Sequence, residues 1–176
     1  MSNYFGNVKK DWAGFSSEYK IKMPYFEKEV EVFLGEELDE EGEEVSISPT
    51  NQQLAEFEQT LKEFLSNIDI VIADIKQSAF EYYQKNYAEY YENPFEVLFE
   101  NSLVQKNESG ELHPPLNIDS KEKHFDYMKE ILELIRILDN RTIKIPIYYA
   151  LDEEHGLEIK ITDNKVVEID NISYTS

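Results

Sequence analysis

Apolar positions along this chain follow two rhythms. Near the start Tyr19, Ile21 and Met23 alternate with charged neighbours, and Val30, Val32 and Leu34 alternate with Glu29, Glu31 and Phe33. Period two with Pro24 as the break predicts a β-hairpin. From Leu54 the spacing becomes helical: Leu54, Phe57, Leu61, Phe64, Leu65, Ile68, Ile72, Ile75, Ala79, Tyr83, Tyr87 and Tyr90 form one stripe without Gly or Pro. A stripe this long exceeds the usual globular helix, and Ser66-Asn67 followed by Asp69 offers an end and a fresh cap, so two helices are expected. Thr50 or Asn51 is the N-cap candidate, and Asn93-Pro94 stops the second helix because the residue before proline is pushed out of the α region.

Beyond that proline the stretch Phe95 to Val104 is apolar enough to be buried, and Gln105 to Asp119 has the aperiodic, Gly- and Pro-containing text of a surface loop. Ser120 then caps a short helix in which Phe125, Met128, Ile131 and Leu132 share a face, ending near Leu134. The C-terminal quarter returns to period two. Ile143, Ile145, Ile147, Tyr149 and Leu151 face one way, followed by Leu157, Ile159 and Ile161, then Val167 and Ile169. Pairing Ile161 with Val167 and Ile159 with Ile169 leaves the loop Asp163-Asn164-Lys165, whereas a two-residue loop would set Ile159 opposite Glu168. The same parity sets Ile135 and Ile137 opposite Ile145 and Ile143 around Asp139-Asn140-Arg141. Pro146 on the outer face predicts an edge or a bulge. The expected fold is α+β: one domain over residues 1–176, an antiparallel sheet of N-terminal hairpin plus C-terminal meander, packed against two or three helices.

Composition narrows the function classes. With 41% apolar and 13% aromatic residues the chain folds despite a formal charge of −20. It has no cysteine, which removes disulfides, thiolate metal sites and cysteine nucleophiles. No apolar signal region opens the chain and no segment approaches a membrane span, so a cytoplasmic protein is expected. The charge repels nucleic acid and anionic membranes and favours a basic partner. It is uneven: between Lys28 and Lys62 lie eleven acids and no base, and residues 36–44, EELDEEGEE, hold seven acids in nine positions. Such a run stays solvated, keeps a protein soluble, or imitates a phosphate backbone before a nuclease.

Three constellations are candidates for chemistry. Asp152-Glu153-Glu154-His155-Gly156 sits where two strands reverse, and carboxylates with an imidazole suit a divalent metal. A polar turn closed by glycine is the plainer and preferred reading. His113 and His124 stand alone, as surface histidines do. Among the crowded tyrosines, Tyr83, Tyr87 and Tyr90 continue the core stripe, which leaves Tyr82 and Tyr91 as flank residues suited to anchor a partner beside the acids Glu40, Glu41, Glu43 and Glu44.

Ala150-Leu151-Asp152-Glu153-Glu154-His155-Gly156-Leu157-Glu158, followed by Lys165-Val166-Val167-Glu168, resembles the end of an uncharacterised family of small acidic bacterial proteins. The family's text there is W-D-E-E-H-G-L-G-V and then G-K-V-V-E-V, with Leu151 here in the tryptophan's place and Glu158 in the second glycine's. Phe80-Glu81-Tyr82-Tyr83 resembles that family's central helix. The resemblance implies an intracellular bacterial domain and no particular activity.

No G-x-S-x-G turn, Gly-rich phosphate loop, H-E-x-x-H or dinucleotide fingerprint is present, and thirty-seven acids single out no carboxylate pair. No catalysis and no cofactor are expected. The leading expectation is a bacterial immunity-type protein that neutralises a basic toxin such as a nuclease. A metal-binding or metal-sensing domain at Asp152 to His155 and a self-associating housekeeping domain are the alternatives.

Overall fold

In the computed structural model, residues 4–39, 41–92, 96–99, 102–106 and 112–172 are described. The chain divides into two units, one formed by residues 1–75 and 128–176 and the other by residues 76–127.

The period-two segments of the first unit pair into one sheet, eight strands among the described residues. It contains β1 (Lys9–Asp11), β2 (Gly14–Lys22), β3 (Glu29–Leu34), β7 (Met128–Ile131), β8 (Leu134–Leu138), β9 (Thr142–Tyr149), β10 (Leu157–Thr162) and β11 (Lys165–Asp170). Their order is β1-β2-β3-β8-β9-β10-β11, with β7 also on β9. The hairpin β2–β3 and the meander β8 to β11 are antiparallel as expected, and a parallel pair, β3 with β8, joins them. One face carries Val30, Val32, Leu34, Ile135, Ile137, Ile143, Ile145, Ile147, Leu157, Ile159 and Ile161, all buried.

That face needs a cover, and the helical stripe supplies it. Helix α1 (Asn51–Ser66) starts at Thr50, whose hydroxyl accepts from the Gln53 amide while Gln53 reaches back in a capping box, and it buries Phe57, Leu61 and Phe64. It lies against β8. Asn67 interrupts the stripe at φ −110°, and α2 (Ile68–Asn86) follows, so the stripe forms two helices with the break where it is expected. Val71, Ile72 and Ile75 are its buried residues in this unit.

Four details depart from the periodic reading, and two of them are bulges. Ile159 faces Ile169, yet Ile161 faces Val166, because Asp163 and Asn164 alone make the turn at φ 51° and 61° and the register shifts after Lys160. Two left-handed residues match the strand twist, and the extra residue at the bulge restores the parity that a short loop would lose. Val167, expected in the core, is therefore 56% exposed. Met128, Ile131 and Leu132 are not helical: the Ser120-capped helix α4 (Lys121–Phe125) is one turn long, and β7 follows with a register shift between Met128 and Glu130. Skipping one residue in a strand gives the i, i+3 spacing that imitates a helix face.

Pro146, expected at an edge or bulge, lies inside the interior strand β9. Here the neighbour of β9 changes from β8 to β7, and the Pro146 carbonyl accepts from the Leu132 amide at 2.8 Å. A strand residue's N–H and C=O point to the same side, so the missing donor falls opposite the break at Leu132-Glu133, where no ladder bond is lost. The three-residue loop Asp139-Asn140-Arg141 pairs Ile137 with Ile143 as expected.

The second unit begins at Lys76 within α2 and contains α3 (Ala88–Glu92), β4 (Glu96–Phe99), β5 (Ser102–Lys106), β6 (Leu112–His113) and α4. The strands form a small antiparallel sheet, so part of the expected loop from Gln105 is strand. The Asn93-Pro94 stop and the burial of Phe95 to Val104 lie outside the described residues. Glu92 ties the unit together: its carboxylate accepts from the Tyr83 hydroxyl at 2.6 Å and from the amides of Asn117 and Ile118 at 2.8 and 2.9 Å. Burial pushes the Glu92 carboxyl up, but these three donors outweigh it and hold the group below its ordinary value.

His124, expected at the surface, is fully buried, with ring centroids 5.1 Å from Tyr83 and 6.1 Å from Phe80. Burial pulls its pKa down to about 4. Above pH 7 the ring is neutral folded and unfolded and contributes no pH dependence. As pH falls below about 6.5 the unfolded chain takes the proton first, so stability drains until about pH 4, by roughly 2 kcal/mol at pH 5. Urea unfolding at pH 7.5 and pH 5 should therefore show wild type losing about 2 kcal/mol more than His124→Phe over that interval.

Candidate functional site

A lone cation in an apolar strand is the starting point. The run Leu134-Ile135-Arg136-Ile137-Leu138 is buried throughout, and the Arg136 side chain is only 9% exposed. Its Nη2 donates to the Ala13 carbonyl at 2.8 Å and to Glu37 Oε2 at 3.3 Å, and its Nη1 donates to the Gly35 carbonyl at 3.1 Å. The guanidinium also lies over the Phe33 ring, 5.7 Å from its centroid. Burial lowers the pKa of Arg136, while Glu37, Glu36 and Glu158 push the other way. An arginine remains charged under such a shift, so its donors must be filled by protein.

Each of those acceptors belongs to a surface feature. Ala13 lies in the two-residue turn Trp12-Ala13 between β1 and β2. Asp11 fixes this turn by accepting from the Trp12 amide and the Ser16 hydroxyl, both at 2.9 Å; those two bonds, the amide first, hold its carboxyl below the ordinary range. Gly14 closes the turn at φ 97°, against the backbone of Glu36 and Glu37. The Trp12 ring meets Phe33 edge-on at 5.7 Å, and the residue is 63% exposed.

Gly35 and Glu37 begin the acidic run. Its described acids are exposed, as expected, but the run is not a freely solvated string. Leu38 bridges Glu44, and Asp39 Oδ1 accepts from the amides of Glu41 and Glu43 at 3.1 and 2.9 Å. The Gly42 amide donates to the Asp39 carbonyl, the Val45 amide donates to the Glu37 carbonyl, and Lys10 pairs with Glu44 at 2.9 Å. The result is a small hairpin that holds Glu41, Glu43 and Glu44 outward beside the tryptophan turn. Glu40 lies outside the described residues.

The other predicted site residues fall elsewhere. Tyr82 and Tyr91 belong to the second unit and are half-buried; Tyr82 packs on Tyr87 at 6.0 Å and Tyr91 on Tyr90 at 4.9 Å. Tyr83 is fully buried as expected, whereas Tyr90, expected in the core stripe, is 37% exposed. In the 152–156 turn, Asp152 Oδ1 accepts from the His155 amide and lies 2.9 Å from His155 Nδ1, a contact that raises the imidazole's pKa. Glu153 hydrogen-bonds Tyr148, and Glu154 is exposed. Among the described residues no three His, Cys, Asp or Glu side chains converge on one point. The turn closes at Gly156, φ 65°, where a Cβ would come 2.9 Å from Ile172 and 3.0 Å from the Ile147 carbonyl.

Neither periodicity nor net charge singles out Trp12 or Arg136. Their signals were a single tryptophan in the polar turn Lys10-Asp11-Trp12-Ala13-Gly14 and a charge at the centre of a five-residue apolar strand.

Fold and site together define an α+β protein whose first unit presents an aromatic turn beside an acidic hairpin. The chain belongs to the family described as "Domain of unknown function (DUF6985)", whose profile matches residues 4–174. No curated protein and no solved structure matches it.

Two substitutions test the local geometry. Arg136→Met should cost about 3 kcal/mol in urea unfolding, because two backbone carbonyls lose buried donors, and Arg136→Lys should recover little since one ammonium cannot span the fork. Gly156→Ala should cost about 2 kcal/mol through left-handed strain and the contact with Ile172.

Proposed function

We propose that this chain is a bacterial, cytoplasmic immunity-type protein, a non-enzymatic acidic module that binds and neutralises a basic protein toxin. The observation that carries the reading is the shared support of the acidic hairpin and Trp12 by one buried arginine. Pre-organisation lowers the ordering cost of binding, and an exposed indole beside carboxylates carried on a hydrogen-bonded backbone combines a desolvating anchor with long-range attraction. A net charge of −20 disfavours nucleic acid and anionic lipid as alternatives. Among the described residues no helix is long and apolar enough to cross a membrane. The match to an uncharacterised family is compatible with this reading and names no partner.

Cross-linking in the source cell followed by mass spectrometry supplies a partner, which is then measured in purified form. Its association rate should fall about tenfold or more between 50 and 500 mM salt, and again when Glu40, Glu41, Glu43 and Glu44 are changed to Gln. Trp12→Ala should raise the dissociation rate roughly 10- to 100-fold with little effect on association. Tyr82→Ala and Tyr91→Ala form the comparison arm: if dissociation responds to them and not to Trp12→Ala, the anchor lies on the second unit. An association rate indifferent to salt and to the four Gln substitutions sinks the proposal.

A further inference from the structure

The sheet ends at β11, which among the described residues pairs only with β10. An open edge offers unpaired backbone groups to any passing strand, and folded proteins usually obstruct it. Two obstructions are visible here. The first is the bulge that leaves Val167 outside the ladder, 56% exposed. The second comes from α2: the Asp74 carboxylate accepts from the Val166 amide at 2.8 Å. In a two-residue hairpin the pair flanking the turn, Thr162 with Lys165, exchanges hydrogen bonds, and the next pair, Ile161 with Val166, points its amides away. Asp74 therefore fills an outer-rim position where the carbonyl of an added strand would bond.

The text of β11, Lys165-Val166-Val167-Glu168-Ile169-Asp170, is complementary to itself. An antiparallel copy centred between Val167 and Glu168 sets Lys165 against Asp170, Val166 against Ile169 and Val167 against Glu168, each twice by symmetry. Opposite charges directly across a pair stabilise it, and Lys165 and Asp170 are both exposed. The other end strand, β1, has three residues, and an antiparallel copy that sets Lys9 against Asp11 also sets Lys10 against Lys10.

We propose that β11 is a self-complementary pairing edge held shut by Asp74, and that a second copy of this chain adds to it, antiparallel, when that carboxylate is removed. The reading is independent of the toxin partner. Sedimentation equilibrium up to about 200 µM tests it: Asp74→Ala should form dimer at concentrations at least about tenfold lower than wild type. Deuterium uptake at residues 166–170 should slow as the dimer forms. Lys165→Asp in the Asp74→Ala background should abolish the association, and adding Asp170→Lys should restore it. If Asp74→Ala fails to give the native circular dichroism spectrum, Asp74→Ser, whose shorter side chain cannot reach Val166, carries the same test. A folded variant with the wild-type mass profile overturns the proposal, and so does a dimer indifferent to Lys165→Asp.

Discussion

A guanidinium removed from water keeps its charge and must find acceptors in the protein, or the strand that carries it is destabilised. Arg136 finds them 123 and 101 positions away in the chain, at Ala13 and Gly35, with Glu37 as the counter-charge. This one side chain thereby fixes where the β1–β2 turn ends, where β3 leaves the sheet and where the acidic hairpin starts. The parallel pairing of β3 with β8 follows the same logic, since it sets Phe33 directly beside Arg136 and gives the cation an aromatic face. The exposed features of this corner depend on a buried one.

Periodicity made much of the architecture legible. The alternation from Ile143 to Ile161 yields strands, faces and the Ile137–Ile143 and Ile159–Ile169 pairings without reference to structure, because one buried face makes a one-residue slip intolerable. Two of its failures share a cause: a bulge changes the phase of a strand without changing its composition. Met128 to Leu132 imitates a helix face, and Val167 falls in phase with the core, for that reason. The candidate site was less legible. The acids were visible as charge, but their ordering depends on Asp39 accepting local amides and on a cation from a distant strand, neither of which has a periodic signature. Tyrosines stand out in the sequence by number, whereas a lone tryptophan in a polar turn does not.

Charge is distributed with some economy. On the sheet face that carries Arg136, three cations stand in register on neighbouring strands, Arg136 beside Lys144 and Lys144 beside Lys160. Like charges directly across strands repel, and each cation is relieved by a carboxylate: Glu37, Glu158 and Glu168 respectively. With 17 basic residues for 37 acids, committing cations here leaves the hairpin at residues 36–44 with Lys10 and Arg136 as its described ion-pair partners.

The one tryptophan in the chain stands at the Arg136 corner, well exposed and in edge contact with Phe33. Excited at the red edge of its absorption, the protein has a single emitter, so its intrinsic fluorescence reports on that corner alone. Any molecule that covers the turn would shift the emission to the blue as water leaves the indole, while binding elsewhere would leave it largely unchanged. The unmodified chain thus carries its own optical label at the surface proposed for its partner.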